Sequence, residues 1–160
     1  MKFIALTASL LANPVLVSPV LASEDIADQY PGSVLYSKPY EVIPHVYSAI
    51  GATAPPTYEN AGHNNNLSFI VTGDGVIVVN SGASYQLAEA LHQEIKAVTD
   101  QSVELVLNEN GQGHAMLGNS YWVDQGVKVV AHVDAAHEFA AWQRQVRRVC
   151  SDRCVGKQRH

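Results

Sequence analysis

Four stretches of this 160-residue chain concentrate side chains able to ligate, hydrogen-bond or react. The first is Tyr58-Glu59-Asn60-Ala61-Gly62-His63-Asn64-Asn65-Asn66, dense in amides around one imidazole. Amide side chains both donate and accept, so His63, Asn64, Asn65 and Asn66 are candidates for holding a polar substrate. The same residue types also bond their own backbone in turns, and both readings stay open here. The second stretch is Asn108-Glu109-Asn110-Gly111-Gln112-Gly113-His114, a Gly- and Asn-rich loop with one carboxylate and one imidazole. The third groups His132, Asp134 and His137, which are ligand types, although Asp134 is better explained as a helix cap. The fourth is Cys150 and Cys154, the only cysteines. An even pair in an exported protein permits a disulfide, whereas a structural zinc site takes four ligands.

The elements that must carry these residues are legible as patterns. Tyr40–Ile43 and His45–Ile50 alternate as strands, with Pro44 marking an edge or turn between them, and His45 beside it reads as structural. Leu67–Val71 and Val76–Val79 flank Gly73-Asp74-Gly75 and make the best hairpin in the chain. The second of these strands is branched and apolar on both faces, which suggests burial on both sides of a sheet. Ser84 can cap a helix whose Leu87, Leu91, Ile95 and Val98 form one apolar stripe, with His92 on the solvated side. Val103–Leu107 is the next strand, His114–Trp122 starts another short helix, and Val127–Ala131 is a further strand. A last helix, capped by Asp134, places Phe139, Trp142, Val146 and Val149 on one face. An antiparallel start followed by alternating strands and helices is an α/β order.

Composition sets the outer bounds. Residues 1–22 read as a signal peptide: Lys2 is followed by an almost wholly apolar run to Leu21, and Val20-Leu21-Ala22 suits cleavage. Pro14 and Pro19 argue against a spanning helix, and no second apolar run of spanning length follows, so no membrane association is expected after signal removal. Residues 23–39 are a lead-in, residues 40–142 the folded body, and residues 143–160 a basic tail. Residues 1–142 hold four lysines, no arginine and 14 acids, a charge of −10; residues 143–160 hold six bases and one acid, a charge of +5. The acidic body argues against a nucleic-acid partner. The abrupt change of composition admits the reading that the tail is out of frame, although the apolar stripe of the last helix runs through the boundary.

The run Asn66-Leu67-Ser68-Phe69-Ile70-Val71, then Gly75-Val76-Ile77-Val78-Val79-Asn80-Ser81-Gly82, an amphipathic helix, and Val106-Leu107-Asn108-Glu109-Asn110-Gly111-Gln112-Gly113-His114-Ala115-Met116-Leu117-Gly118-Asn119 resembles the opening half of the metallo-β-lactamase superfamily, nearest its exported branch beside sulfur-oxidation and quinoprotein genes. The resemblance implies an αββα sandwich of two sheets with helices outside, of which this chain would form only the first half. It also implies zinc, held in that family by His-x-His-x-Asp-His after a buried strand, where the metal lowers the pKa of a bound water and polarises the bond to be cut. Here His114 falls on the last histidine of that motif. Gly113 stands for its aspartate, and Gly111 and Glu109 for the earlier histidines. Shifting the register by one residue offers Gln112 and Asn110 instead, neither amide a good zinc ligand, so the set the resemblance allows is His114 with Glu109 and Gln112 assisting, and it places His63 and Asn64–Asn66 along the cleft. The aspartate that usually ends the buried strand is Asn80, which loses a charge expected to order the ligand loop.

Three functions are compatible with this reading. One is a periplasmic or secreted metal-dependent hydrolase acting on an ester, thioester or lactam as small-molecule substrate. The second is a non-catalytic binding or accessory protein with a degenerate metal site. The third is a truncated, inactive remnant. One sheet of a two-sheet sandwich would leave an apolar face open to self-association. Residues 23–160 alone are therefore expected to be only marginally stable; a sharp thermal transition from a soluble monomer would overturn that expectation.

Overall fold

The computed structural model describes Tyr30 and residues 32–57 and 60–156, with residues 146–156 as backbone only. The signal peptide, Tyr58, Glu59, His160, the side chains of Val146 and Val149 and any pairing of Cys150 with Cys154 lie outside the described residues. Six strands form one sheet in sequential order: β1 Tyr40–Ile43, β2 Val46–Ala49, β3 Leu67–Val71, β4 Val76–Val79, β5 Val103–Asn108 and β6 Lys128–Ala131. Strands β1 to β4 run antiparallel, while β4, β5 and β6 are mutually parallel. Antiparallel neighbours can be joined by tight turns, but parallel ones need a crossover. Helix α1, Tyr85–Val98, supplies the first crossover. Helices α2, Gly113–Met116, and α3, Asn119–Asp124, supply the second, and α4, Val133–Gly156, follows β6.

The strand pattern follows the side chains. Along β3 and β4, Leu67, Phe69, Val76 and Val78 are fully buried and belong to the main core with Leu87, Leu91, Ile95, Val106 and Trp122. Tyr47 stacks on Phe69 across β2 and β3, with ring centroids 4.8 Å apart. Helices α1 and α3 thus cover one face of the sheet. Ser84 caps α1 as expected, its side chain accepting from the Leu87 amide at 3.2 Å. Among the described residues no helix is long and apolar enough to cross a membrane.

Several local expectations change. Strand β2 is shorter than the alternation suggested, because His45 turns the chain with φ 69° while its amide donates to Glu41 Oε1 at 2.8 Å. The apolar stripe of α1 ends before Val98, which is exposed at the helix terminus. His92 is not on a solvated face: α3 packs against that side, placing its Nδ1 2.8 Å from the Tyr121 hydroxyl and its ring beside Trp122. Burial, and then Lys96, lower its pKa. The helix expected over 114–122 is broken at Leu117-Gly118, where a Cβ on Gly118 would strike the Ser81 carbonyl. Asp134 is not the cap of α4; the helix has begun at Val133, and the Asp134 amide donates to His132 Nδ1 at 3.3 Å. Of the expected α4 stripe, Phe139 packs on Ala115, Met116 and Ala135, whereas Trp142, stacked on Phe139, is exposed.

The other face of the sheet is apolar as well. Register places Ile70, Ile77 and Leu105 in one cross-strand row, and Val79, Leu107 and Val130 in the next. None of these six belongs to either core cluster, and Leu107 is 42% exposed.

Candidate functional site

The loops that leave the ends of β4 and β5 meet around Asn80. This residue follows β4, is buried, and has φ 67°, a left-handed backbone that asparagine tolerates better than most residues. The conformation turns its amide back across the loop after β5. Asn80 Oδ1 accepts from the Glu109 amide at 3.2 Å, and Nδ2 donates to Glu109 Oε1 at 3.1 Å and to the Asn66 carbonyl at 3.4 Å. The charge lost relative to an aspartate therefore does not leave the loop unheld. The amide orders it instead, and it suits the site better, because an aspartate would set a second carboxylate against Glu109.

A second set of amides closes the far side. The buried Ser81 amide donates to Asn108 Oδ1 at 3.1 Å, and its hydroxyl donates to the Ala115 carbonyl at 2.7 Å. Asn108 is also buried, and its Nδ2 donates to Asn119 Oδ1 at 2.9 Å. Gly118, lacking a Cβ, lets its amide reach the Gly82 carbonyl at 2.8 Å. The loop is thus fastened from both ends by neutral groups. Asn108 opens the loop that the sequence singled out, but Ser81 and Asn119 were not read as site residues; the available signal was only that Asn and Ser follow buried strands, where their side chains can bond backbone.

The metal candidates share this loop but do not converge as ligands. Glu109 is committed to Asn80. His114 is half-buried, and its Nε2 lies 3.5 Å from Asn110 Nδ2. Gln112 is exposed, makes no side-chain cap bond, and gives its own amide to Asn110 Oδ1 at 2.8 Å. Among the described residues no three His, Cys, Asp or Glu side chains gather to hold a metal ion. Zinc takes imidazole, thiolate or carboxylate in sets of three or four, so this donor set does not fit it. His132 and Asp134 form an exposed pair at 3.3 Å, and His137 is exposed further along α4.

The substrate candidates divide. His63 is fully buried, with Nδ1 accepting from the Tyr36 amide at 2.9 Å and Nε2 without a hydrogen-bond partner. Burial lowers its pKa to about 4, against an opposing pull from the backbone of Ala49 and Asn65. Asn64 and Asn65 are half-buried, and Asn64 Oδ1 and both side-chain polar atoms of Asn65 are buried without partners. Asn66 is exposed and accepts from the Gly51 amide at 3.3 Å. Asn60, by contrast, spends its side chain on its own loop, accepting from Thr57 and Gly62 and donating to the Pro55 carbonyl.

The chain's architecture is similar to solved structures of metallo-β-lactamases. The metallo-β-lactamase FIM-1 from Pseudomonas aeruginosa, in its mono-zinc form, matches with a TM-score of 0.54 and 16% identity over 64% of this chain and 45% of that one. The fold is that of the metallo-β-lactamases. The metallo-β-lactamase from Pontibacter korlensis matches with a TM-score of 0.54 and 20% identity, over 64% of this chain and 46% of its own. The metallo-β-lactamase from Erythrobacter litoralis, with β-mercaptoethanol in its active site, matches at 0.52 and 14% identity, over 64% and 44%. This chain therefore spans under half the length of the metallo-β-lactamases it matches, and carries one sheet of their fold with its helices. No family's sequence pattern and no curated protein sequence matches it.

Two outcomes follow from the buried groups. Asn80→Asp should destabilise the protein by about 1–3 kcal/mol at neutral pH, with the deficit narrowing as acid protonates the carboxylate pair, in urea titrations at several pH values. An equal deficit at every pH would mean that Glu109 is not the partner that matters. His63 is neutral when folded and accepts a proton more readily when unfolded. Its contribution is therefore complete above its ordinary pKa of 6.5 and declines as pH falls towards the folded value of about 4. The loss should reach roughly 3 kcal/mol, and His63→Gln should flatten most of that slope.

Proposed function

We propose that this chain is a non-catalytic binding or accessory protein built on half of the metallo-β-lactamase fold, exported to the periplasm or beyond. The observation that carries the reading is the Asn80–Glu109 pair. The loop's one carboxylate accepts from an amide, and the loop is ordered by hydrogen bonds of neutral side chains. A metal loop of this fold must present several free ligands, whereas this one presents His114 beside an amide. Asn64 and Asn65 keep buried polar atoms without partners, and the family resemblance sets this segment beside the cleft, which supports a small polar ligand there. The basic-then-apolar first 22 residues support export.

Metal-dependent hydrolysis of an ester, thioester or lactam is the second reading. It draws on the likeness to the FIM-1 enzyme and on the place of His114, and it needs ligands from outside the described residues. One experiment separates the two. The purified protein is incubated with excess zinc, desalted, and assayed for bound metal and for its unfolding transition, beside His114→Ala. The expected result is substoichiometric zinc, an unchanged cooperative transition, and no difference in metal content between the two proteins. Stoichiometric zinc lost in His114→Ala would replace the binding reading with the hydrolase; the absence of any cooperative transition would replace it with an inactive remnant.

A further inference from the structure

The lead-in before β1 lies outside the sheet and is fastened to the body largely by side chains. Residues 32–38 contain no strand, and the Ser33 amide bonds locally, to the Tyr30 carbonyl. Leu35 is fully buried in the main core, the Ser37 hydroxyl donates to the Ile50 carbonyl at 2.7 Å, and the Tyr36 amide donates to His63 Nδ1 at 2.9 Å. The last of these bonds exists in one protonation state only. Because Nδ1 accepts, the ring proton sits on Nε2, which is buried without a partner. A second proton enters at Nδ1, opposite the Tyr36 N–H. An imidazolium donates from both nitrogens and accepts from neither. Protonation therefore turns the Tyr36 contact into two opposed donors and places a charge in a fully buried ring. One side must then move. His63 is pinned through its own backbone: its amide donates to the Asn60 carbonyl and its carbonyl accepts from the Ala52 amide, both at 2.8 Å. The lead-in, outside the sheet, is the side that gives. We propose that residues 32–38 are an acid-released strap, closed on the body while the His63 ring is neutral and let go when the ring takes a second proton.

The titratable groups on the elements around His63 are Tyr36 and Lys38 of the lead-in, Glu41 and His45 around β1, Tyr47 on β2, and Glu109 beyond Asn66. Lys38 is exposed, Glu41 is bonded to the His45 amide, Tyr47 stacks on Phe69, and Glu109 is bonded to Asn80. Among the described residues no charged side chain shifts His63; burial lowers its pKa against the backbone of Ala49 and Asn65. The ring titrates near 6.5 when free and at about 4 when enclosed. Closure is thus complete above pH 6.5 and weakens as pH falls, by about 100-fold in the closing equilibrium from pH 7 to pH 4. Release uncovers His63 beside Asn64 and Asn65, whose side chains hold buried polar atoms without partners, so the strap couples acidity to access at that segment.

The test is nuclear magnetic resonance relaxation of the backbone amides of the full chain from pH 7.5 to pH 4, with His63→Gln and Ser37→Ala beside the parent. In the parent, Tyr36 and Ser37 should pass from order parameters of about 0.85 to below about 0.6 as pH falls, while Phe69 and Val78 stay rigid. His63→Gln offers an oxygen to the Tyr36 amide and does not titrate, so its strap should stay rigid throughout. Ser37→Ala removes the bond to Ile50 and leaves His63 to titrate; its strap should release about half to one pH unit higher than the parent's. That shift decides the matter if His63→Gln does not fold. A parent strap still rigid at pH 4, or one that loosens only together with Phe69 and Val78, would overturn the proposal. So would release that persists unchanged in His63→Gln, or a release pH that Ser37→Ala does not move.

Discussion

The amide of Asn80 ties together two loops that arrive from different parts of the chain. One comes from the amide-rich segment before β3 and ends at Asn66; the other leaves β5 and begins at Glu109. Both reach Asn80 because β4 lies between β3 and β5 in the sheet. The left-handed backbone at Asn80 aims its side chain across that junction. Strained conformations of this kind persist only where the surroundings over-determine them, and here Glu109 provides both an acceptor and a donor. The amide supplies one of each, which a carboxylate cannot do.

The choice of residue also shapes what the loop can do. A metal site concentrates negative or neutral ligands around a cation, and without the cation those ligands repel or stay unpaired. This loop is arranged the other way. Asn108 is paired with Ser81 and Asn119, Glu109 with Asn80, and the backbone of Gln112 with Asn110. A loop satisfied by its own side chains needs no ion for its order. Among the described residues, the buried side-chain polar atoms that remain unpaired lie at His63, Asn64, Asn65 and Trp122.

The sheet carries a different imbalance. Its inner face is sealed by α1 and α3, with Phe69, Leu91 and Trp122 fully buried. Its outer face is nearly as apolar but lies outside both core clusters. Burial of apolar surface is the main favourable term in folding, and on this face Ile70, Ile77, Val79, Leu105 and Val130 are half-buried and Leu107 is exposed. The long α4 adds to this, with Trp142 exposed beyond the small cluster that anchors its start.

Much of the architecture was legible because it rests on local patterning. The hairpin of β3 and β4 followed from branched residues on either side of Gly73-Asp74-Gly75, and α1 from its stripe and the Ser84 cap. The spacing of strand, loop and histidine also carried the likeness to the metallo-β-lactamase opening half. What the sequence could not give depended on residues far apart meeting. His92 looked solvated until α3 packed beside it, since helical periodicity says nothing of which neighbour arrives on the polar face. His63 looked available for a ligand, yet its Nδ1 is taken by Tyr36 from before β1. Asn80 read as the loss of a charge, because its worth lies in Glu109, 29 residues away. Composition and period therefore determined which segments are strands and helices and that they belong to an α/β sheet. Only tertiary structure decided which polar groups are spent on each other, because hydrogen-bond partners are set by distances that local sequence does not encode.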